Sequence, residues 1–235
     1  MHPLTDSELL ETWEAGQRQT LPQRALTLLA RTCPEMDTPA LFSLSIAERD
    51  IRLLTLREAT FGPALEARVE CPACGQSLEF SARAADLRAM LHTAEAGPLE
   101  VTAEGARWTV RLPDSGDLCA VAGCRDVDTA RMRLAARCVT GLEGEPDDLP
   151  EPVLAALAQR AAGSEAVLDL HCPQCGHGWR PVFDIVPFLW AEVGARARAL
   201  LRDVAALARA YGWSERDILS MSPWRRRQYL ELAAT

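Results

Sequence analysis

Two short stretches of this sequence share one pattern: Cys71-Pro72-Ala73-Cys74-Gly75 and Cys172-Pro173-Gln174-Cys175-Gly176. Each Cys-x-x-Cys-Gly is typical of a zinc knuckle, a tight turn that directs two thiolates at one metal ion. Its glycine tolerates a backbone conformation that a Cβ atom disfavours. Four thiolates complete the tetrahedral shell of a structural zinc ion and leave no open position for water or substrate. The sequence therefore predicts one structural Zn²⁺ bound by Cys71, Cys74, Cys172 and Cys175.

Alternating polar and apolar residues flank both knuckles, at 67–70 and 78–80 and again at 167–170 and 182–185. Alternation with a period of two on each side of a turn predicts a β-hairpin. We therefore expect a zinc ribbon made of two knuckle-tipped hairpins and split by a long insertion. A thioredoxin-like redox motif is disfavoured, because such a motif follows a strand and opens a helix, and neither copy has that pattern.

The remaining cysteines and the histidines form no catalytic pattern. The other cysteines are Cys33, Cys119, Cys124 and Cys138. Cys33 and Cys138 lie in apolar helical stretches and are predicted to be small buried side chains, and we assign no function to the other two. His171 and His177 flank the second knuckle, but four cysteines already fill a zinc shell. His2 and His92 have no neighbouring pattern of a catalytic triad.

The charge of the chain argues against nucleic acid and membrane surfaces as partners. All 25 basic residues are arginine, and the net charge is −8, whereas non-specific binding to phosphates needs basic patches. The one basic run, Arg225-Arg226-Arg227, is expected to be a solvated helix face at the end of a helix. No apolar stretch approaches the roughly 18 residues of a spanning helix, and the N-terminus lacks the pattern of a secretion signal. We expect a cytoplasmic protein that does not insert into membranes.

Periodicity, capping and turn signals predict a mainly helical α+β protein. A capping box at Ser45 and Glu48 should start a helix that runs to about Thr60, and Pro187 should start a long helix that ends near Gly212. The expected regions are N-terminal helices (1–65), the first knuckle hairpin (66–84), an inserted β-hairpin with helices (85–164), the second knuckle hairpin (165–186) and C-terminal helices (187–235). Within the insertion we predict a hairpin over 99–112, a turn at 113–117, a helix over 126–138, an acidic loop over 141–148 and a helix over 150–162.

Several short segments of the sequence, together with the two knuckles, resemble segments of one protein family. They lie at 44–50, 56–62, 111–118, 183–190 and 211–215, and none is an enzyme motif. In this order they resemble the baseplate proteins related to those of T4-like phages, found in contractile-tailed phages and in phage-tail-like contractile injection systems. The resemblance implies a zinc-stabilised component or assembly factor of the baseplate hub, with hub or spike proteins of the same tail system as partners. It also implies a cytoplasmic location during assembly and leaves open a place in the assembled baseplate.

Two other classes of function stay open on the sequence alone. A nucleic-acid-binding zinc ribbon is the main alternative, although the acidic balance and the absence of interleaved basic and aromatic residues near the knuckles count against it. An enzyme is the other. The carboxylates of Asp117, Asp126 and Asp184 are more easily explained as helix caps or surface charges, so we expect no catalytic activity.

Overall fold

The structure is a computed structural model that describes residues 1–91, 97–140 and 149–233. His92 and the predicted acidic loop at 141–148 lie outside the described residues. The helices are α1 (Asp6–Ala15), α2 (Leu21–Thr32), α3 (Thr38–Phe42), α4 (Ile46–Phe61), α5 (Ala84–Met90), α6 (Ser115–Val121), α7 (Val127–Arg137), α8 (Glu151–Ala161), α9 (Ile185–Tyr211), α10 (Glu215–Ser220) and α11 (Pro223–Ala233). The strands are β1 (Ala64–Glu70), β2 (Ser77–Arg83), β3 (Leu99–Ala103), β4 (Ala106–Val110), β5 (Val139–Thr140), β6 (Ala166–Val167), β7 (Leu170–His171), β8 (Gly178–Trp179) and β9 (Val182–Phe183). The predicted α+β class is confirmed, because helices predominate and the strands form small antiparallel sheets.

Side-chain hydrogen bonds between neighbouring residues cap the N-termini of the helices in the N-terminal region. The predicted capping box at the start of α4 is confirmed: the Glu48 N–H donates to Ser45 Oγ at 3.3 Å, and the Ser45 N–H donates to Glu48 Oε2 at 3.1 Å. Thr5 and Glu8 form the same box at the start of α1. These contacts satisfy backbone N–H groups that have no partner within the helix. The helix starts are therefore specified by neighbouring residues.

The long helix α9 lies at the centre of the main core and packs against α1, α2, α4, α10 and α11. Its inward face carries apolar residues at helical spacing, including Leu189, Val193 and Leu200, all of which are fully buried. Burial of each such side chain is worth about 1.5–3 kcal/mol. A Cβ atom at Gly16, after α1, would lie only 2.0 Å from the ring of Trp190 on α9, so this close approach requires a glycine. None of the described helices is both long enough and apolar enough to cross a membrane.

The helix α9 begins earlier than the sequence predicts. Asp184 caps it by accepting a hydrogen bond from the Val186 N–H at 2.9 Å, and the first helical residue is Ile185. The predicted start at Pro187 is therefore late by two residues. Proline is still favourable there, because backbone N–H groups in the first turn have no acceptor within the helix.

The prediction that Arg225–Arg227 is a solvated face is wrong for its middle residue. Arg226 is 2 % exposed. Its guanidinium contacts the carboxylate of Asp6 on α1, and its Nε lies 3.4 Å from Asp203 Oδ2 on α9. The run also lies near the start of α11, not at its end. Because successive helical residues are rotated by about 100°, one residue of the run points inward and pairs with carboxylates that are distant in sequence.

The insertion between the knuckles has a small core of its own. The sheet β3-β4-β5 packs against α8 through Trp108, Val110 and Val153. The predicted hairpin is confirmed, but the predicted turn at 113–117 is partly wrong, because Asp114 caps α6 there. The insertion is joined to the N-terminal region where Ser115 donates hydrogen bonds from its N–H and its Oγ to the carbonyl of Leu44, at 2.9 and 3.0 Å.

Candidate metal centre

A seven-residue antiparallel ladder positions the first knuckle. β1 pairs with β2 from Ala64↔Arg83 to Glu70↔Ser77, and the chain then turns directly into Cys71. The Cys71 N–H donates to the carbonyl of Gln76 at 2.9 Å, and the Gly75 N–H donates to the carbonyl of Cys71 at 2.8 Å. Gly75 has φ +72°, in the left-handed region that favours glycine. The turn therefore holds both cysteines of the motif on one short loop.

The second knuckle repeats the same turn on a weaker hairpin. The Cys172 N–H donates to the carbonyl of His177, and the Gly176 N–H donates to the carbonyl of Cys172, both at 2.9 Å. Gly176 has φ +74°. The predicted alternating strands around this knuckle are present only as two ladders of two residue pairs each, β7–β8 and β6–β9. The two motifs are thus alike in the turn and differ in the strands that support it.

All four predicted ligand residues lie together. Their sulfur atoms are within 4.8 Å of one another, although the two motifs are about 100 residues apart. The Sγ atoms of Cys71 and Cys175 are 3.7 Å apart, as are those of Cys74 and Cys172. A tetrahedral zinc site with bonds of about 2.3 Å has edges of about 3.8 Å between its sulfur atoms. The cluster therefore has the size and donor set needed to bind a metal ion.

The cluster has a buried side and an exposed side. The first cysteine of each motif, Cys71 and Cys172, is 2 % exposed. The second cysteine of each motif, Cys74 and Cys175, is exposed. Each knuckle therefore contributes one sulfur to the interior and one to the surface.

The thiols of the cluster have opposite tendencies to ionise. Burial works against the thiolate of Cys172, but backbone N–H groups of Cys175 and Gln174 lower its pKa to about 7. The backbone N–H of Gln76 favours the thiolate of Cys74, but contacts with the neighbouring sulfurs raise its pKa to about 12. Sulfur atoms this close resist simultaneous ionisation, because like charges repel. A bound divalent cation reverses this tendency, since a coordinating thiol is deprotonated.

The histidines beside the second knuckle are outside the sulfur cluster. The side chain of His171 is 73 % exposed, and its Nδ1 lies 3.9 Å from Asp169. His177 stacks on Trp179, with ring centroids 6.1 Å apart. Across residues 1–91, 97–140 and 149–233, the four cysteines are the only group of three or more potential ligands that lie within ligand distance of one another.

The other cysteines do not join the cluster. Cys33 and Cys138 are buried as predicted, and burial raises the pKa of both thiols, that of Cys138 to about 12. Cys119 and Cys124 are partly exposed and free. The Sγ of Cys124 lies 3.6 Å from a guanidinium nitrogen of Arg133. None of these contacts provides a second set of metal ligands.

Two carboxylates that are wholly or largely removed from solvent are the ionisable groups that the sequence predicts least well. The sequence predicts that Asp117 is a cap or a surface charge. It caps α6 together with Asp114, but it is fully buried. Its oxygens accept hydrogen bonds from Arg111 at 2.6 and 3.0 Å and from Arg137 at 2.8 Å. Burial works to raise the pKa of Asp117, but these guanidinium groups and the Asp114 N–H hold it below its usual value. Because both oxygens are engaged, Asp117 is better suited to structure than to proton transfer.

Asp50 is the second such carboxylate, and its side chain is 13 % exposed. Its Oδ1 accepts a hydrogen bond from Arg49 Nε at 2.8 Å. Burial raises the pKa of Asp50 to about 6, against the opposing effect of Arg49. An exposed carboxylate beside arginine would show the opposite shift. The sequence gives no signal for this residue, because burial of its side chain depends on tertiary packing.

Comparisons of the chain with protein-family models, with curated proteins and with solved structures gave no match. Its functional interpretation therefore depends on its own residues and on the resemblance described above.

Proposed function

We propose that this chain is a zinc-stabilised structural or assembly protein of the baseplate hub of a contractile tail or injection system, and that it acts by protein–protein contacts. The observation that carries the proposal is the cluster of four sulfur atoms contributed by two distant knuckles. A shell of four protein thiolates is closed, so its role is to stabilise the fold. In this proposal the two hairpins form a split zinc ribbon.

Zinc is the proposed metal because of the donor set and the knuckle turns. Four thiolates in a tetrahedron favour zinc or iron, whereas carboxylate and carbonyl oxygens are preferred by magnesium and calcium. When bound, the ion supplies only cross-linking here, because four cysteines leave it no free coordination position. The residues proposed to hold it are Cys71, Cys74, Cys172 and Cys175.

The proposed ion joins segments that lead directly into the main core. β1 follows α4 after Gly62, and β9 precedes α9. α4 and α9 are also joined by Arg57, whose guanidinium contacts both oxygens of Glu192 at 2.9 and 2.7 Å. Closing a loop of about 100 residues costs on the order of 4 kcal/mol of chain entropy. A metal cross-link between the knuckles offsets much of this cost and fixes the insertion relative to the helices.

The segments on which the family resemblance depends have structural roles in this chain. This supports a protein that acts by protein–protein contacts and not by catalysis. The segment at 44–50 contains the capping box of α4. The Leu44 carbonyl of this segment accepts hydrogen bonds from Ser115, which lies in the segment at 111–118. The segment at 211–215 contains Tyr211 and Trp213, whose rings stack with centroids 4.5 Å apart. These residues make structural contacts and do not form an acid–base pair, so we propose no catalytic residue among them.

The metal content of protein purified without added zinc tests the proposal. We expect one zinc per chain by mass spectrometry, and we expect the double variant C71S/C175S to lose zinc and thermal stability. The matched control C119S/C124S, which removes two cysteines outside the cluster, should keep both. A C71S/C175S variant with full zinc content and an unchanged melting temperature would contradict the site.

A binding experiment separately tests the baseplate role. The zinc-loaded protein is used to capture hub and spike proteins co-expressed from the neighbouring tail genes. Stoichiometric capture of one of them supports the assembly role. Zinc binding without any tail partner, but with nucleic acid that is released by salt, would favour the nucleic-acid-binding ribbon instead.

A further inference from the structure

The C-terminal helix α11 lacks the division into an apolar inner face and a polar outer face that a typical surface helix has. Its buried side carries the charged residue Arg226, which is 2 % exposed. Its outward side carries Trp224 and Leu232, which are 72 % and 65 % exposed. Around the helix, Trp224 lies about 160° from Arg226 and Leu232 lies about 120° from it, so both are directed away from the buried side. A helix of a protein that has no partner there normally has the reverse arrangement.

Ionic and aromatic contacts fix this orientation of α11. Arg226 contacts Asp6 and Asp203, which lie on two other helices. On the same helix, the ring of Tyr229 packs edge-on against Tyr211 and Trp213, with centroids 5.8 and 4.8 Å apart. Rotation of α11 to bury Trp224 would break both sets of contacts. The exposure of the tryptophan is therefore built into the packing of the C-terminal region.

The outward side of α11 has the composition of an interface hot spot. Around the helix, Trp224 lies between Arg225 and Arg227, which are both exposed. Tryptophan and arginine are the residues most enriched where protein partners bind tightly, and a tryptophan on a rigid helix loses little entropy when it docks. The ion pair of Arg227 with Glu231, at 3.4 Å, is exposed, and such contacts are weak enough to be exchanged for a partner's carboxylate.

The charge of the region indicates the kind of partner. Residues 185–233 contain eight arginines and five acidic residues, a net charge of +3, whereas residues 1–184 carry −11. The region that exposes Trp224 is thus net basic in a chain that is acidic as a whole. Complementary charge guides association and excludes partners of like charge.

We propose that the outward face of α11, formed by Trp224, Gln228 and Leu232 and flanked by Arg225 and Arg227, is a docking surface for an acidic protein partner. Large apolar side chains of the partner cover the Trp224 indole, and carboxylates beside them pair with the two arginines. This inference rests on the proposed role as a protein that acts by protein contacts, and it names the contact surface and the chemistry of the partner.

A selection with random peptides tests this surface without any tail protein. The zinc-loaded full-length protein is immobilised, and a library of 16-residue peptides displayed on phage is selected on it. We expect enriched peptides to combine acidic residues with at least one large apolar residue. Affinities of the synthetic peptides are then measured by fluorescence anisotropy against variants of α11. Because no baseplate protein is involved, failure here leaves the assembly role intact, and failure of hub capture leaves this surface intact.

The variants separate local contact from overall charge. W224A should weaken peptide binding about 30-fold, as for a hot-spot residue, without a change in melting temperature, because the indole is exposed. R225E/R227E should weaken binding at least about 10-fold, with a loss of salt dependence. R107E/R125E reverses two exposed arginines in the insertion and should leave the affinity within about two-fold.

Other outcomes would overturn the proposal. Peptides without acidic enrichment, or peptides whose affinity is the same for wild type and W224A, would show that this face does not recognise an acidic partner. A concentration-dependent dimer that W224A abolishes in sedimentation velocity would instead assign the face to a second copy of the chain. Binding of a labelled 20-nucleotide DNA that R225E/R227E abolishes would assign it to nucleic acid.

Discussion

Replacement of Arg226 by methionine should destabilise the protein by about 2 kcal/mol. Methionine keeps much of the buried volume but removes the charge that pairs with Asp6 and Asp203. Breaking a buried ion pair costs about 3–5 kcal/mol when the remaining charge has no other partner. Two features of this site reduce that cost. Asp6 also pairs with Arg196 at 3.1 Å, and the side chain of Asp203 is 29 % exposed and can be hydrated.

A third feature lowers the expected cost further. The Nη1 atom of Arg226 is buried and has no hydrogen-bond partner. A buried donor without an acceptor costs about 1–3 kcal/mol, and methionine removes this donor. The net loss of about 2 kcal/mol should lower the urea midpoint by about 0.7 M for an m-value of about 3 kcal/mol per M.

Urea unfolding followed by tryptophan fluorescence measures this loss. The matched controls are R225M and R227M, which change the two exposed neighbours in the same run and should shift stability by less than about 0.5 kcal/mol. Equal midpoints for R226M and the two controls would refute the assignment of Arg226 as the buried anchor of α11. The double variant D6N/R226M should lose less than the sum of the single variants, because the two residues share one contact.

Three further predictions concern the buried carboxylates and the knuckle turns. Burial raises the pKa of Asp50 from 3.8 to about 6, so the stability that its protonated form contributes is present below about pH 4 and is lost as the pH rises through about 6. Relative to D50N, the wild type should therefore lose about 3 kcal/mol between about pH 4 and pH 7 in urea unfolding, and parallel curves for the two proteins would contradict the buried carboxyl. D117N should lower the free energy of unfolding by about 2 kcal/mol at neutral pH, because the amide cannot accept all the hydrogen bonds from Arg111 and Arg137. D126N, which changes an exposed helix cap, should lower it by about 1 kcal/mol or less in the same assay. G176A should destabilise the protein by about 1–2 kcal/mol, measured as a lower melting temperature, because φ is +74° at this position and a Cβ atom is strained in that region. The control is G123A, which should leave the melting temperature unchanged. The backbone of Gly123 is not in the left-handed region, and an added Cβ atom meets no atom within 4 Å.

The features that the sequence predicts well are those specified by residues close together in the chain. The knuckle turns depend on five or six consecutive residues, and the start of α4 depends on Ser45 and Glu48, so both are visible without tertiary information. The grouping of the four cysteines also follows from local patterns, because each motif contributes a preformed pair. The metal identity and the baseplate role stay predictions.

The features that the sequence misses depend on partners distant in the chain or on very short elements. Arg226 is buried because Asp6 lies beside it, 220 positions earlier, and periodicity within α11 cannot show this. The segment 113–117 contains Pro, Asp, Ser and Gly, which favour both a turn and a helix start, and the hydrogen bonds between Asp114 and Asp117 select the helix. α3 has five residues and α5 has seven, too few for a periodic signal.

The division of the sulfur cluster into a buried and an exposed side has a kinetic consequence. For a metal ion bound as proposed, a competing chelator would approach the exposed sulfur atoms of Cys74 and Cys175 before it reached the inner ones. The inner thiolates, Cys71 and Cys172, come from different knuckles. An ion that has lost both outer ligands would therefore still bridge the two hairpins. Stepwise release of the metal would keep these distant segments joined until the last exchange step, so loss of the two outer bonds alone would not separate the hairpins.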